Sequence, residues 1–327
     1  MNEFQFVVAL SALMFISISV YRYRILHFKT PHKNHEEYCG ELYAVGKSVV
    51  AYKKASQQEG EKPRTIICMH GWLEDHRYFS ELYKPQDGEL IFINSCDYHA
   101  PVKNKPIKNA SWQALIPFDE CTIEYDAAVL IQAVENLSSH HNILLHGHSR
   151  GGAVVIEAIK QAPQLFAEAQ VILEAPILPE APVSKFHNLP KWLDIMASKA
   201  ILLVFPFLVY RLAKSELSYS TIKKMGPVNE RKTHLLQGLL FSAKSAGVLM
   251  RNVKNMLSWP LQNRMDILGN VKGGYILLGA RDSVLSKRLM LRSANRAGSH
   301  LQVIQTKNSS HFISLDIPSE IKSLDLS

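Results

Sequence analysis

Cysteine is scarce in this chain of 327 residues, and no two cysteines form a C-x-x-C pair. The four thiols are Cys39, Cys68, Cys96 and Cys121. Their spacing indicates neither a disulfide framework nor a cysteine-rich metal site, and Cys68 lies in an apolar run, where a thiol behaves as a small hydrophobic group. We expect reduced thiols, which are typical of a cytosolic location, although an even count also permits two disulfides.

Patterns for metal and nucleic-acid binding are missing as well. The sequence contains no H-E-x-x-H motif or similar ligand spacing, so it predicts no metal and no other cofactor. The net charge of +8 could serve a nucleic acid, but the lysines and arginines are dispersed and form no basic stripe with interleaved aromatic residues. Because they accompany long apolar runs, an anionic membrane surface is the better match, and we predict no nucleic-acid partner.

One apolar run, residues 4–21, is long enough to cross a bilayer, since about 18 residues of helix span roughly 27 Å. A secretory signal has positive residues before its apolar run and small residues at a cleavage site, whereas here only Glu3 precedes the run. The basic residues follow it, namely Arg22, Arg24, Lys29 and Lys33. By the positive-inside rule these charges stay in the cytoplasm. We therefore predict an uncleaved single-pass anchor (1–24), a linker (25–40) and a cytoplasmic domain; the alternatives are a cleaved signal and a soluble protein with an apolar first helix.

The rest of the chain alternates apolar strands with helical patterns, and its 47% hydrophobic and 20% charged residues are typical of a globular protein. Strands are predicted over 42–45, 49–52, 64–69, 89–94, 142–146, 170–175, 274–280 and 301–304, and helices over 75–83, 123–137 and 153–159. Several strands are apolar throughout, as expected for strands that are covered on both faces. The sequence thus predicts an α/β fold with a mostly parallel, doubly wound sheet, built from residues 41–175 and 269–327.

Between these two parts, residues 176–268 interrupt the alternation and are predicted to form a helical cap inserted over the sheet. The apolar run 200–210 is too short to span a bilayer and is broken by Pro206. It either dips into a membrane interface or closes the cap over the site, and both can hold at once. A later segment, 230–256, has the spacing of one or two further helices.

The central motif is Gly147-x-Ser149-x-Gly151, which joins an apolar run to a helical pattern. A sharp turn between strand and helix strains the backbone of the middle residue, so glycines two positions away avoid clashes. Such a turn exposes the Ser149 hydroxyl and leaves the backbone N–H of Arg150 at a helix N-terminus, where it can stabilise negative charge on an attacked carbonyl. The alternative is an ordinary glycine-flanked turn.

A second signature, His70-Gly71-Trp72, directly follows the strand predicted over 64–69. In this position the backbone N–H of Trp72 can serve as the other oxyanion donor, while its ring forms a wall of the pocket. We expect His70, Gly71 and His148, which flank the two turns, to line the substrate site or to make structural hydrogen bonds. The alternative is a glycine turn that simply ends a strand.

Two further polar residues follow the last two predicted strands. Asp282 comes after 274–280 and His311 comes after 301–304, so both are predicted at the sheet edge that carries Ser149. His311 could take the serine proton while Asp282 fixes the imidazole tautomer. Asp282 could instead cap a helix that begins at Ser283 or pair with Arg281, and His311 could be a surface residue. The reserve acids are Asp266 and Glu174.

With these motifs in the order Ser, Asp, His, the chain resembles the α/β-hydrolase superfamily over about residues 41–325. The resemblance implies that Ser149, Asp282 and His311 form a catalytic triad and that Trp72 and Arg150 donate to the oxyanion. A serine at this place differs from the aspartate of the epoxide hydrolases and dehalogenases in the superfamily. The arginine at position 150 is a departure, since many lipases and esterases have a small or apolar residue after the serine.

The resemblance, the anchor and the apolar, basic cap together predict a membrane-anchored serine hydrolase. We expect it to cleave carboxylic esters through an acyl-enzyme, with a lipid or another long-chain acyl ester as the substrate. A thioesterase, an acyltransferase or a peptidase would use the same triad. A non-catalytic protein that binds a ligand or partner with this fold is the alternative from another class.

Overall fold

The computed structural model of the protein describes residues 3–27, 36–56, 64–98, 100–103, 105–183, 207, 210–211, 226–238 and 246–325. Its described strands form one nine-stranded sheet. They are β1 (Glu41–Val45), β2 (Ser48–Lys53), β3 (Thr65–Met69), β4 (Glu89–Asn94), β5 (Lys108–Asn109), β6 (Ile143–His148), β7 (Gln170–Glu174), β8 (Gly273–Gly279) and β9 (Leu301–Thr306). The order across the sheet is β5-β1-β2-β4-β3-β6-β7-β8-β9.

The sheet is parallel from β4 to β9 and antiparallel where β2 pairs with β1 and β4. The predicted mostly parallel α/β architecture is therefore confirmed. The β1–β2 hairpin turns at Gly46 and Lys47, between the strands predicted over 42–45 and 49–52. The short edge strand β5 was not predicted, because its two residues are exposed and polar and carry no alternation of apolar side chains.

Helices cover both faces of the sheet. The described helices of the chain are α1 (Glu3–His27), α2 (Arg77–Ser80), α3 (Ile123–Leu137), α4 (Arg150–Gln161), α5 (Glu230–Gly238), α6 (Ala246–Gln262), α7 (Lys287–Ala294), α8 (Ile313–Asp316) and α9 (Pro318–Lys322), with a 3-10 helix at Met265–Asn270. Helix α3 matches its predicted bounds, and its N-cap residue Thr122 accepts a hydrogen bond from the Tyr125 N–H. The helix predicted over 75–83 is only one turn, α2, since the chain turns away at Glu81 before Pro85.

The central strands are buried on both sides, which explains their continuous apolar sequences. All five residues of β3 and all six of β4 are buried. One cluster of buried side chains joins the sheet to α3 and α4, and a second joins the opposite face to α2 and α8. This two-sided cover fixes the strand ends that carry the site.

The first helix, α1, contains a segment, Phe4–Ile25, that is long and apolar enough to cross a membrane, with a mean hydropathy of 2.0 and no buried residue in its most apolar window. A signal sequence would meet the same criteria. The helix extends past the predicted anchor boundary at residue 24. Near its end Ile25 is buried, and the Tyr21 ring lies 5.6 Å from the Phe207 ring of the segment predicted as cap.

Within the predicted cap, 176–268, the described residues include α5, α6 and the 3-10 helix. The prediction of one or two helices over 230–256 is met by two, and α6 continues beyond the predicted end to Gln262. Apart from Phe207 and Tyr210, the apolar run 200–210 lies outside the described residues. The division into anchor, linker, core and cap stays a prediction.

Candidate active site

The turn between β6 and α4 has the strained geometry that the sequence predicts. Ser149 has φ 52° and ψ −116°, a backbone conformation that residues other than glycine rarely adopt. A Cβ on Gly147 would lie 2.5 Å from the Gly151 carbonyl oxygen, and a Cβ on Gly151 would lie 2.0 Å from the Met69 carbonyl oxygen. Both positions therefore require glycine, because the turn packs directly against its own helix and against the end of β3.

Three side chains from distant parts of the chain meet at this turn. The Ser149 hydroxyl lies 2.9 Å from His311 Nε2, and His311 Nδ1 lies 2.8 Å from Asp282 Oδ2. Asp282 follows β8 and His311 follows β9, and the two strands end side by side with Gly279 opposite Thr306. Ser149 and His311 are 7% and 4% exposed, so the pair is held largely away from water. The three side chains form the hydrogen-bonded series that nucleophilic catalysis by serine needs.

Asp282 is held as a carboxylate by its surroundings. Burial opposes its charge, but hydrogen bonds from His311 and from the backbone N–H groups of Leu285 and Val284 lower its pKa below the ordinary value. An ionised Asp282 makes His311 Nδ1 the donor, which leaves Nε2 to accept the serine proton. The nearest helix, α7, begins at Lys287, so Asp282 does not cap a helix at Ser283; its second oxygen fixes the following turn.

The two reserve acids lie elsewhere. Glu174 is completely buried and contacts His146 Nε2 at 3.1 Å, the Tyr78 hydroxyl at 2.5 Å and Ser314. Asp266 is exposed and pairs with Arg264. Neither is bonded to the His311 ring, so the structure brings only Asp282 into the hydrogen-bonded series.

A second buried pair, His148 and Glu74, connects the parts of the site. His148 Nδ1 lies 2.8 Å from Glu74 Oε2, and the same carboxylate oxygen accepts the Gly71 N–H at 2.7 Å. His148 Nε2 donates to the His311 carbonyl oxygen at 2.9 Å, and its ring stacks on Tyr78. One hydrogen-bonded network thus joins the turn after β3, strand β6 and the loop that carries His311.

The His148–Glu74 pair should make stability depend on pH in a defined window. Burial alone would lower the pKa of His148, but the Glu74 carboxylate outweighs it and raises the pKa from 6.5 to about 9. A histidine whose pKa is raised in the folded state contributes its full stabilisation of the fold below pH 6.5. This contribution is lost as the pH rises through about 9. We expect the free energy of unfolding to fall by about 3 kcal/mol over that range. The measurement is chemical denaturation at a series of pH values.

The variant Glu74→Gln should remove much of that pH dependence, because it deletes the charge that holds the proton on His148. Glu81→Gln is the matched control, since Glu81 is exposed and forms only a surface ion pair with Lys84. An equally steep decline between pH 6.5 and 9 in the Glu74 variant would contradict the assignment.

His70 is also fully buried, and its ring nitrogens bond to the backbone. Nδ1 donates to the Gly71 carbonyl oxygen at 2.7 Å, and Nε2 accepts the Ser95 N–H at 3.1 Å. The complete burial of the His70 and His148 rings does not support their predicted contact with substrate. Their hydrogen bonds show the structural role that the sequence left open, whereas a substrate contact for Gly71 stays a prediction.

The Arg150 side chain points into the protein interior. It is completely buried and bonds through Nη1 to Asp126 Oδ2 at 2.7 Å and to the Ser95 hydroxyl at 3.1 Å. Its backbone belongs to the first turn of α4, where N–H groups have no partner inside the helix. Trp72 lies in the turn after β3, and its ring packs with Leu249 of α6. These positions agree with the predicted oxyanion donors, whose role stays a prediction.

The loop that carries His311 is braced by residues that carried no sequence signal. Lys232 of α5 is completely buried and bonds to Asp316 Oδ1 at 2.6 Å and to the Ser310 hydroxyl at 2.8 Å. Asp316 also accepts the Ser310 N–H. No spacing rule links a lysine at 232 to an aspartate at 316, because only the folded chain brings them together.

One group among the described residues has the composition of a possible metal site. The ligand atoms of Cys96, Asp97 and Cys121 lie within 4.8 Å of one another. The guanidinium of Arg251 lies 3.3 Å from the Cys121 sulfur and opposes a cation there. The absence of a metal cofactor stays a prediction.

Comparisons with known proteins agree with the architecture. No protein-family profile and no curated protein matches the chain. Among solved structures, a carboxylesterase from Bacillus subtilis is 14% identical with a TM-score of 0.55, and 95% of each chain is covered. An esterase from Exiguobacterium antarcticum is 12% identical with a TM-score of 0.57, covering 86% of this chain and 96% of that one.

A bromoperoxidase from Bacillus anthracis is similar to the same degree, at 14% identity and a TM-score of 0.56, covering 84% of this chain and 92% of that one. Likeness at these identities concerns the fold and leaves the reaction open, since one fold hosts several chemistries. These comparisons show that the chain has the α/β-hydrolase fold.

Proposed function

We propose that this protein is a serine hydrolase that cleaves carboxylic esters through an acyl-enzyme. The observation that carries the proposal is the hydrogen-bonded series from Ser149 through His311 to Asp282, with distances of 2.9 and 2.8 Å. The names of two structural neighbours, a carboxylesterase and an esterase, support the same reaction class. Because a bromoperoxidase has the same fold, the fold alone does not identify the reaction, and the site residues carry the proposal.

In the proposed reaction His311 Nε2 takes the hydroxyl proton as Ser149 attacks the ester carbonyl carbon. The negative charge that develops on the carbonyl oxygen is stabilised by the backbone N–H groups of Arg150 and Trp72. Collapse of this intermediate breaks the bond to the alcohol, which leaves with the proton from His311. A water molecule, deprotonated by His311, then attacks the acyl-enzyme and releases the acid. Asp282 stabilises the imidazolium in both halves.

A lipid or another long-chain acyl ester is the substrate class that we propose. Helix α1 exposes large apolar side chains along its length, including Phe4, Phe15 and Leu13, which are 63% to 76% exposed. Near its end, Tyr21 contacts Phe207. A membrane-inserted α1 would hold that part of the chain at the bilayer surface, where long acyl chains are concentrated. The proposed orientation keeps the catalytic domain on the cytoplasmic side.

A fluorophosphonate probe tests the reaction class. The activated Ser149 should attack the phosphorus of the probe and become covalently labelled, whereas Ser149→Ala should not. Ser309→Ala is the matched control, because Ser309 is a buried serine near the site that is not bonded to His311. Absence of labelling in the folded wild type, in lipid and in detergent, would favour the non-catalytic alternative. Turnover of matched oxygen esters, thioesters and amides would separate esterase, thioesterase and peptidase.

Membrane attachment makes a separate prediction. The full chain should stay with membranes through alkaline extraction, because about 20 apolar residues anchor a helix stably. The double substitution Leu13→Lys with Ile16→Lys should release it, since a charged residue at the helix centre costs about 3 kcal/mol. Leu13→Ile with Ile16→Leu keeps the apolar character and serves as control. Wild-type protein in the soluble fraction, or a shortened N-terminus, would contradict the anchor.

A further inference from the structure

Two buried cysteines that take no part in the Ser149–His311–Asp282 series lie side by side. Cys96 sits in the turn after β4, and Cys121 directly precedes the N-cap residue of α3. Their sulfur atoms are 3.7 Å apart, and both residues are 0% exposed. The other two thiols differ from this pair, because Cys39 is exposed and Cys68 lies within β3. Cys96 and Cys121 therefore form the one thiol pair among the described residues.

A cation lies against one member of the pair. The Arg251 guanidinium is 3.3 Å from the Cys121 sulfur, and Arg251 itself is exposed. The hydrogen bond with Cys96 and the Arg251 guanidinium lower the pKa of the Cys121 thiol, while burial raises it. A thiolate at neutral pH is the reactive form of cysteine, and a positive neighbour favours it.

The two sulfurs must come closer before a bond can form between them. A disulfide has a sulfur–sulfur distance of about 2.05 Å, against the 3.7 Å between these thiols. Cys121 and Asp97, the neighbour of Cys96, have positive φ values of 65° and 58° and lie in turns outside the regular helices and strands. Neither thiol is therefore fixed by a helix or strand of its own.

We propose that Cys96 and Cys121 form a reversible disulfide when the protein meets a hydroperoxide. The Cys121 thiolate attacks the peroxide, so that an S–O bond forms, the O–O bond breaks and the departing oxygen takes a proton to leave as an alcohol or water. The Cys96 sulfur then attacks the sulfenic acid; an S–S bond forms, the S–O bond breaks and water leaves. Two thiols lose two electrons, and the hydroperoxide gains them.

The pair is connected to the candidate active site through Asp126. The Cys96 N–H donates to Asp126 Oδ1, and Asp126 Oδ2 binds Arg150, the residue after the serine. On the other side, the Cys121 carbonyl accepts a hydrogen bond from Asn252 of α6. The disulfide would thus link the turn after β4 to the start of α3. This link lies next to helix α6, which packs on Trp72. The chemistry of the pair is independent of the proposed hydrolase function.

The test treats the full chain with hydrogen peroxide, blocks remaining thiols with an alkylating reagent and digests with trypsin. Each cysteine falls in its own tryptic fragment: Cys39 in 34–47, Cys68 in 65–77, Cys96 in 78–103 and Cys121 in 109–150. We expect fragments 78–103 and 109–150 to be linked and to separate on reduction. Arg251→Gln should slow the reaction about tenfold at neutral pH, because the thiolate fraction of Cys121 falls.

A second variant keeps the test valid if a disulfide is strained. Cys96→Ala should leave Cys121 as a sulfenic acid that a dimedone reagent captures, while Cys121→Ala should leave Cys96 as a free thiol. The melting temperature of each variant reports whether it folds. The proposal is overturned if both thiols remain free at a dose that oxidises Cys39, if Cys96 links to another cysteine, or if Arg251→Gln reacts at the wild-type rate. Protection of both thiols by Zn²⁺ with no linked fragments would show a metal site and would overturn it as well.

Discussion

Replacing His311 by alanine should reduce kcat for a carboxylic ester by about 10⁵- to 10⁶-fold, the scale seen when a serine hydrolase loses its base. His311 is the group within hydrogen-bonding distance of the Ser149 hydroxyl, at 2.9 Å, and without it the proton has no acceptor. The KM should change much less, because the ring acts on the proton and adds little to substrate binding. Steady-state kinetics on a soluble ester in detergent would measure both constants.

Asp282→Asn should cost about 10⁴-fold in kcat, since an amide favours the wrong tautomer of the imidazole. Asp266→Asn is the matched control, because Asp266 is exposed and pairs with Arg264 away from the site. Equal losses in the two variants, or a His311→Ala enzyme with more than a few per cent of wild-type kcat, would contradict the proposed triad. A folded protein in each case is shown by an unchanged melting temperature.

Removing the carboxylate of Asp126 should lower the free energy of unfolding by about 3 to 5 kcal/mol. The side chains of Asp126 and Arg150 are both completely buried and bond at 2.7 Å. Asp126→Leu leaves the guanidinium in the interior with the Ser95 hydroxyl as its remaining side-chain partner, and an unpaired buried charge is costly. Chemical denaturation of the variant and the wild type at neutral pH gives the difference.

The double variant Asp126→Leu with Arg150→Met separates the cost of the unpaired charge from the value of the pair. Because an apolar replacement of a whole buried ion pair is often neutral, the double variant should regain most of the lost stability. It should also keep labelling by a fluorophosphonate, since the proposed oxyanion donor is the backbone N–H of residue 150. A double variant as unstable as the single one would show that packing, and not charge, dominates at this place.

The parts of the fold that the sequence predicted well are those fixed by local pattern. Gly147 and Gly151 in the sequence indicate a tight turn. The structure explains them, because a Cβ at either position would clash with the backbone. The continuous apolar runs of β3 and β4 report burial on both faces. The sequence predicted that Asp282 and His311 lie near Ser149 because the carboxyl ends of parallel strands lie at one edge of the sheet.

The parts that escaped prediction depend on pairs that are distant in sequence. Nothing in the spacing shows that Arg150, which replaces the small or apolar residue of many esterases, turns inward to Asp126. In the structure that side chain belongs to the interior. Glu74 and Lys232 likewise gain their partners only when the turn after β3 reaches His148 in β6 and helix α5 reaches Asp316 in α8.

The buried contact of Lys232 with Asp316 limits how the covering layer can move. Sliding α5 away from the sheet would strand an ammonium and a carboxylate in the interior and would loosen the loop that holds His311. The ion pair therefore holds α5 in place beside the loop that carries His311. In the proposed mechanism a movement of α5 would therefore also displace the base, His311, because Lys232 bonds to the neighbouring Ser310.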